Sequence, residues 1–501
     1  MSSLYHSTRN MSKSVTSKQA ILAGLAADGG LYVSDALTNK NADDPIDLTA
    51  ICHEDYHGIA RTILSRLLSD YSQDEIEHCI EAAYGPHFDT SAITPLVPLG
   101  NDWLLELWHG PTCAFKDVAL QMLPRLMAVA RKDAETADNV MIVCATSGDT
   151  GKAALEGFAN VEGTGVTVFY PAGGVSDIQH LQMVTQRGEN VSVCGINGNF
   201  DDAQTQVKRI FSDPMLKERL ADEKIVLSSA NSINVGRLVP QVVYYFSAYA
   251  QLVAAGSINI GDEVEYCVPT GNFGDVLAGY YAKLLGLPVA RLIVASNAND
   301  VLTEFISTGT YDRRRPFKRT ISPSMDILVS SNLERLLYYL SDGDCSYVSQ
   351  LMARLSTEGS YSVSDDLLKR LKKTFACGKA DDDQTRETIR NVWETDHMLL
   401  DTHTAVAAHV LSQFQRTPGI ARVCLSTANP YKFSADVLKA LGSDVSGLDG
   451  FGCMDMLHEK TGVPVPPQLF ELRDLPKRHL DLCKRDEMSD FVEKSAKRIF
   501  S

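Results

Sequence analysis

The sequence predicts an α/β protein with a doubly wound, mainly parallel sheet, and three observations carry that expectation. First, short continuous apolar runs recur, at Val140–Cys144, Val166–Tyr170, Ile225–Leu227, Val264–Val268 and Leu292–Ala295. Second, each run is followed by a loop rich in Gly, Ser or Asn and then by a helical pattern, the alternation of a sheet buried on both faces. Third, the chain of 501 residues is 44% hydrophobic and 22% charged, a globular composition with enough length for two or three domains.

The elements follow in order. Residues 1–95 form an N-terminal, mostly helical unit. Within it Ile59-Ala-Arg-Thr-Ile-Leu-Ser-Arg-Leu-Leu68 repeats apolar residues along one helical face. A second helix starts near Asp74, where acidic residues complement the helix dipole. Pro95 and Pro98 disfavour a continuing helix and mark a boundary. Residues 96–300 form the α/β core, with a smaller α/β subdomain near 135–225. Residues 301–420 interrupt the rhythm with charged helical stretches such as Leu333–Leu340 and Ser364–Leu371, and read as a mostly helical insertion. Residues 421–501 return to the core through Arg422–Thr427 and end in a charged tail.

The formal charge of −16 argues against nucleic acid as a partner, because phosphate neutralisation needs a basic surface. The 11 cysteines are scattered without a Cys-x-x-Cys pair and read as reduced buried thiols. Met1–Arg9 lacks the apolar core of a secretory signal and no apolar run reaches roughly 18 residues, so the expectation is a cytoplasmic chain with no membrane partner.

In such sheets ligands bind beyond the carboxyl ends of the strands. There the segment His109-Gly-Pro-Thr-Cys-Ala-Phe-Lys116-Asp places a lysine between a strand (Trp103–Trp108) and an apolar helix (Val118–Ala130). Burial lowers a lysine's pKa, and a neutral amine is the nucleophile for carbonyl chemistry. Thr270-Gly-Asn-Phe-Gly274 follows a strand and opens a helix. It reads as a phosphate cradle of backbone N–H groups or as a plain strand-to-helix turn, and it lacks the lysine of a nucleotide P-loop. Thr146-Ser-Gly-Asp-Thr-Gly151 offers hydroxyl and amide donors to a carboxylate or phosphate. Ser426-Thr427 sets a hydroxyl at the end of the last core strand, or caps a helix. A phosphate loop together with a Schiff-base lysine points to pyridoxal 5′-phosphate. A competing pattern, His53-Glu54-Asp-Tyr-His57, matches the H-E-x-x-H zinc signature if it lies on a helix, and leaves a zinc metallopeptidase as a remote alternative.

Taken together these segments resemble the threonine synthase family of pyridoxal-phosphate enzymes. The resemblance runs through Tyr5-His-Ser-Thr-Arg9, Gly24–Tyr32, the Lys116 segment, Thr146–Gly151, Asn231-Ser-Ile-Asn234 with Arg237, Gly271–Gly274 and Ser426-Thr-Ala428. It implies fold type II, the architecture of the tryptophan synthase β chain, and pyridoxal 5′-phosphate as cofactor. It implies Lys116 as the covalent anchor and proton shuttle, Gly271, Asn272, Phe273 and Gly274 around the cofactor phosphate, and Thr427 facing the pyridine nitrogen. Ser147 and Thr150 would take the substrate carboxylate, with Asn231, Asn234 and Arg237 on the substrate side. Arg237, Lys152 or Lys432 would balance a substrate phosphate, and Asp117 would serve structure. The implied reaction converts O-phospho-L-homoserine and water to L-threonine and phosphate, in a monomer or homodimer. The alternative is a phospho-lyase giving a 2-oxo acid, ammonia and phosphate. Asn429 stands where the family usually has histidine, Asn10 where it often has glycine, and Thr402-His-Thr-Ala lacks a common proline. Of these, Asn429 bears most on the substrate, because it cannot transfer protons as histidine can.

Overall fold

The computed structural model describes residues 4–37 and 45–501, apart from positions 135, 137, 147 and 199 and the side chains of 200 and 201. Two sheets organise the chain. The larger has the order Phe375–Lys379, Val289–Ser296, Val264–Pro269, Ala421–Ser426, Asp102–Glu106 and Leu96–Leu99. All its neighbours are parallel except the last pair, which forms an antiparallel hairpin edge. The smaller sheet is parallel throughout, in the order Asp481–Cys483, Val191–Ile196, Thr164–Pro171, Asn139–Ala145 and Ile225–Ser228. The expected alternation is therefore present, split between two sheets.

The central strands are buried along their whole length, as Val264–Pro269 and Thr164–Pro171 illustrate. That explains their continuous apolar runs, since parallel sheets are covered by helices on both faces. Pro95 precedes the edge strand Leu96–Leu99, and Pro98 lies within it opposite Trp103, at the edge of the sheet where a proline is tolerated. Several strands lie outside the apolar runs singled out above, among them Leu96–Leu99, Asp481–Cys483 and two that extend the sheets next to the runs. Val191–Ile196 joins the smaller sheet, and Phe375–Lys379 brings part of the 301–420 segment to the edge of the larger one.

The helix Lys116–Lys132 joins the two sheets. It carries Pro124 in its interior, which has no N–H to give the carbonyl of Leu120. The helix Asp149–Phe158 packs into that gap through Gly157, where a Cβ would stand 1.8 Å from the Leu120 oxygen. Arg125 Nη1 then donates to the Gly157 carbonyl at 2.7 Å. The N-terminal unit contributes a three-stranded antiparallel sheet (Asn10–Val15, Tyr5–Ser7, Tyr32–Ser34). Arg9 ties that sheet to Glu334 on the helix Leu333–Leu340, through bonds of 2.8 and 2.9 Å. Among the described residues, no helix is long and apolar enough to cross a membrane.

Candidate active site

The carboxyl ends of both sheets open onto one cavity of about 300 Å³. Its walls come from the strand-end residues Ala145, Ser229, Pro269 and Thr427, with Lys116 at the start of its helix. The Lys116 segment is held down by an antiparallel bridge, Ala114 to Ala428. The Phe115 amide donates to the Thr427 carbonyl at 2.8 Å, and the Asn429 amide to the Cys113 carbonyl at 3.0 Å. Lys116 and Thr427, 311 positions apart in sequence, are thereby fixed side by side.

Lys116 is buried, and its Nζ donates to Ser324 Oγ at 3.1 Å and lies 3.6 Å from Asp149 Oδ2. Burial pushes its pKa down to about 8; Asp149 opposes that shift, while Arg237 and Lys432 reinforce it. Asp149 also pairs with Lys432 at 2.8 Å and accepts from Gln179 at 2.9 Å and from Ser324 Oγ at 3.2 Å. Burial works against the Asp149 carboxylate, but Lys432 and Lys116 outweigh it and hold its pKa below the ordinary carboxylate range.

Opposite the lysine, Thr270–Gly274 turns from the strand into the helix Gly274–Leu284. Phe273 adopts φ 63°, a left-handed conformation that curls the loop at the helix entry. The Gly271 carbonyl accepts from Ser330 Oγ, and the Asn272 carbonyl from the Asn332 amide and side chain. With those carbonyls engaged, the free N–H groups of the first helical turn stand at the cavity wall, where an anion is favoured. A Cβ at Gly271 would lie 2.7 Å from the Ser324 carbonyl oxygen, so only glycine lets the loop approach the Ser324 segment this closely. One wall therefore offers an amine and another a phosphate-sized turn. The residues present fit a phosphate-bearing aldehyde.

Thr150, Asn231 and Arg237 also line the cavity, as expected, while Ser147 falls outside the described residues. Burial lowers Arg237 to about 10, which leaves it cationic at neutral pH. Asn234 does not line the cavity; it caps the helix Val235–Leu238 and donates to the Ile21 carbonyl. Lys152 is taken up by Glu156 and Gln186. Asp117 accepts from the Thr112 amide and hydroxyl, the structural use expected of it. Asn429 caps the turn Pro430–Phe433. The zinc pattern dissolves: His53 and Glu54 lie in an exposed turn before the helix Tyr56–Leu67, with Asp55 as its cap. His57 turns to the Tyr84 carbonyl, and no metal-binding cluster of His, Cys, Asp or Glu exists among the described residues.

Sequence reasoning missed Asp149, Ser324 and His403. Asp149 lies inside the Thr146–Gly151 loop, where an acid at a helix start reads as dipole compensation. Ser324 belongs to the 301–420 stretch, whose charged helical composition reads as an insertion. His403 Nε2 accepts the Ser324 amide at 3.1 Å, so its Nδ1 carries the proton and faces Asp401 at 2.9 Å.

Comparison with known proteins agrees with this geometry. Residues 4–84 match the family "Threonine synthase N terminus", 89–426 "Pyridoxal-phosphate dependent enzyme" and 404–494 "Threonine synthase, C-terminal". Threonine synthase of Pseudomonas aeruginosa is 40% identical over 438 residues, 87% of this chain and 90% of that one. The chain belongs to the threonine synthase family. The crystal structure of pyridoxal-phosphate-bound threonine synthase from Brucella melitensis superposes with a TM-score of 0.87 at 35% identity, covering 99% of this chain and 100% of that one. Human threonine synthase-like 1 is 39% identical over 461 residues, 88% of this chain. The chain spans about three fifths of that relative's length, 61%. The family carries fold type II, in accord with the two mainly parallel sheets of this chain.

Proposed function

We propose that this protein is a pyridoxal-phosphate-dependent threonine synthase, acting on O-phospho-L-homoserine and water to give L-threonine and phosphate. The observation that carries the reading is one cavity in which a buried lysine amine and a glycine turn at a helix N-terminus are both presented to a ligand. When bound, pyridoxal phosphate withdraws electrons from the carbon bearing the substrate's amino group and makes its proton labile.

The rest is the work of this chain. Lys116, with its pKa near 8, has a neutral amine available at working pH and can take up a carbon-bound proton and return it. The turn Gly271–Gly274 would hold the cofactor phosphate, and Thr427 would offer the ring nitrogen a hydroxyl, which, unlike a carboxylate, does not hold that nitrogen protonated. Ser147 and Thr150 would hold the substrate carboxylate, with Thr150 lining the cavity. Arg237, cationic and buried, offsets the charge of a doubly anionic substrate in a chain of net charge −16. Asn231 lines the substrate side beside Cys144.

The second reading, a phospho-lyase, is favoured by one observation: Asn429 is committed to capping and brings no proton-transfer group. Supplying O-phospho-L-homoserine and pyridoxal phosphate, then measuring products, separates the two. The synthase reading expects threonine and phosphate in equal amounts; 2-oxobutyrate and ammonia as main products would overturn it. The small-molecule substrate and the absence of a nucleic-acid partner accompany this reading, as do a monomeric or homodimeric state and a cytoplasmic location.

A further inference from the structure

Asp149 stands behind the cavity wall, paired with two lysines, Lys116 at 3.6 Å and Lys432 at 2.8 Å. It lies on the first turn of the helix Asp149–Phe158, in the smaller α/β unit. Gln179 reaches it from the helix Asp177–Val184, and its other partners come from three further parts of the chain. Lys432 reaches it from the turn Pro430–Phe433, Ser324 from the turn Pro323–Met325 between the strands Val289–Ser296 and Phe375–Lys379, and Lys116 from the start of the helix Lys116–Lys132. The Lys432 side chain is completely buried, and its Nζ also donates to the Thr112 carbonyl at 2.8 Å, behind the Lys116 segment.

We propose that Asp149 and Lys432 are a fixed ion pair that positions Lys116 and sets its charge. Asp149 holds the Lys116 amine directly and through Ser324 Oγ, while Lys432 cancels most of the carboxylate's pull. Asp149 alone, 3.6 Å from a buried amine, would keep Lys116 as an ammonium ion that can neither attack a carbonyl nor accept a proton. Lys432 alone would repel the amine from its place. The pair does both tasks with little net charge. The proposal deepens the reading of Lys116 as the cofactor amine and rests on it for its purpose, while the charge relation itself rests on the geometry.

The groups facing Lys116 are few. Asp149 raises its affinity for a proton, and Arg237 and Lys432 lower it. The Cys144 thiol also lies within electrostatic reach of Lys116, and burial raises its pKa to about 11, so it is neutral at working pH. On its own helix, Asp117 is turned away into Thr112, with burial raising its pKa to about 6. His403 faces Asp149 across Ser324, and its Nε2 accepts the Ser324 amide at 3.1 Å.

The test is a pH titration of Lys116 in the cofactor-free full chain, read by trace acetylation with acetic anhydride and peptide mass spectrometry. The neutral amine attacks the anhydride, a C–N bond forms, acetate leaves and the amine's proton goes to solvent, so the rate follows the neutral fraction. Lys432→Met should raise the midpoint by about one unit, slowing labelling at pH 7 about tenfold, since a neighbouring charge shifts a pKa by one or more units. Asp149→Asn should lower it by about one unit, speeding labelling at pH 7 about fivefold. Lys432→Arg should restore the native midpoint to within about 0.3 unit, which a purely structural role for Lys432 would not require. An unmoved or lowered midpoint in Lys432→Met overturns the proposal, as does an arginine variant that shifts as far as the methionine one. If Lys432→Met does not fold, Asp149→Asn decides alone, and a midpoint at or above the native one overturns it. The readout needs no bound cofactor. Failure of the functional reading would therefore leave the titration unchanged, and failure of the titration would leave that reading standing.

Discussion

Replacing Gly271 by alanine tests the phosphate turn at its tightest point. The added Cβ would stand 2.7 Å from the Ser324 carbonyl oxygen and 3.5 Å from the Met325 Cα. Both are backbone atoms, so no flexible side chain can swing aside. Ordinary contact begins near 3.4 Å, and the turn must move by about 0.7 Å relative to the Ser324 segment. A shift of that size takes an N–H···O bond from its optimum near 2.9 Å to beyond its useful range. A hydrogen bond to a charged group is worth about 1.5–3 kcal/mol, so losing one weakens the Kd for pyridoxal phosphate about 10- to 150-fold. Equilibrium titration of the cofactor-free variant, followed by visible absorbance, gives that constant directly. A folded Gly271→Ala protein that binds within twofold of the native chain would falsify the placement of the phosphate at this turn.

Two stability predictions follow from other parts of the fold. Gly157→Ala puts a Cβ 1.8 Å from the Leu120 carbonyl, so the helices Lys116–Lys132 and Asp149–Phe158 must separate. The expected loss is about 1–3 kcal/mol or more, read as a lower denaturant midpoint; an unchanged midpoint would show that the helices do not meet there. His109 stacks on Trp108 and sits between Asp89 and Glu106, at 2.5 and 3.0 Å. Burial disfavours its imidazolium, but the two carboxylates outweigh that and raise its pKa to about 9. The stabilisation is therefore complete below the unfolded value of about 6.5 and is lost as pH rises through about 9. His109→Gln should flatten the pH dependence of the unfolding midpoint in that window. A dependence that persists in full would assign it to another group.

Much of this site was legible in the sequence, for a local reason. Strand, glycine loop and helix start are consecutive in sequence, so Lys116, Gly271–Gly274 and Thr427 announce themselves by their neighbours. The network behind the lysine does not. Asp149 and Lys432 are 283 positions apart and meet only because the two sheets present their carboxyl ends to one cavity. Ser324 sits in a stretch whose charged, helical composition reads as peripheral, although the chain passes through the site there. The strands Val191–Ile196 and Phe375–Lys379 are short and each contains a glycine, which weakens their pattern. His53 and His57 had the right spacing for a metal on a helix, but the helix begins after His53, so the spacing carries no geometry.

The central claim is that the Lys116 amine is the group this cavity offers to pyridoxal phosphate. Borohydride reduction of the full chain after loading with the cofactor, followed by peptide mapping, tests it most directly. The account predicts one fixed label, on the peptide containing Lys116, and none in Lys116→Ala. Stoichiometric label on another lysine, or full label retained in Lys116→Ala, would contradict it.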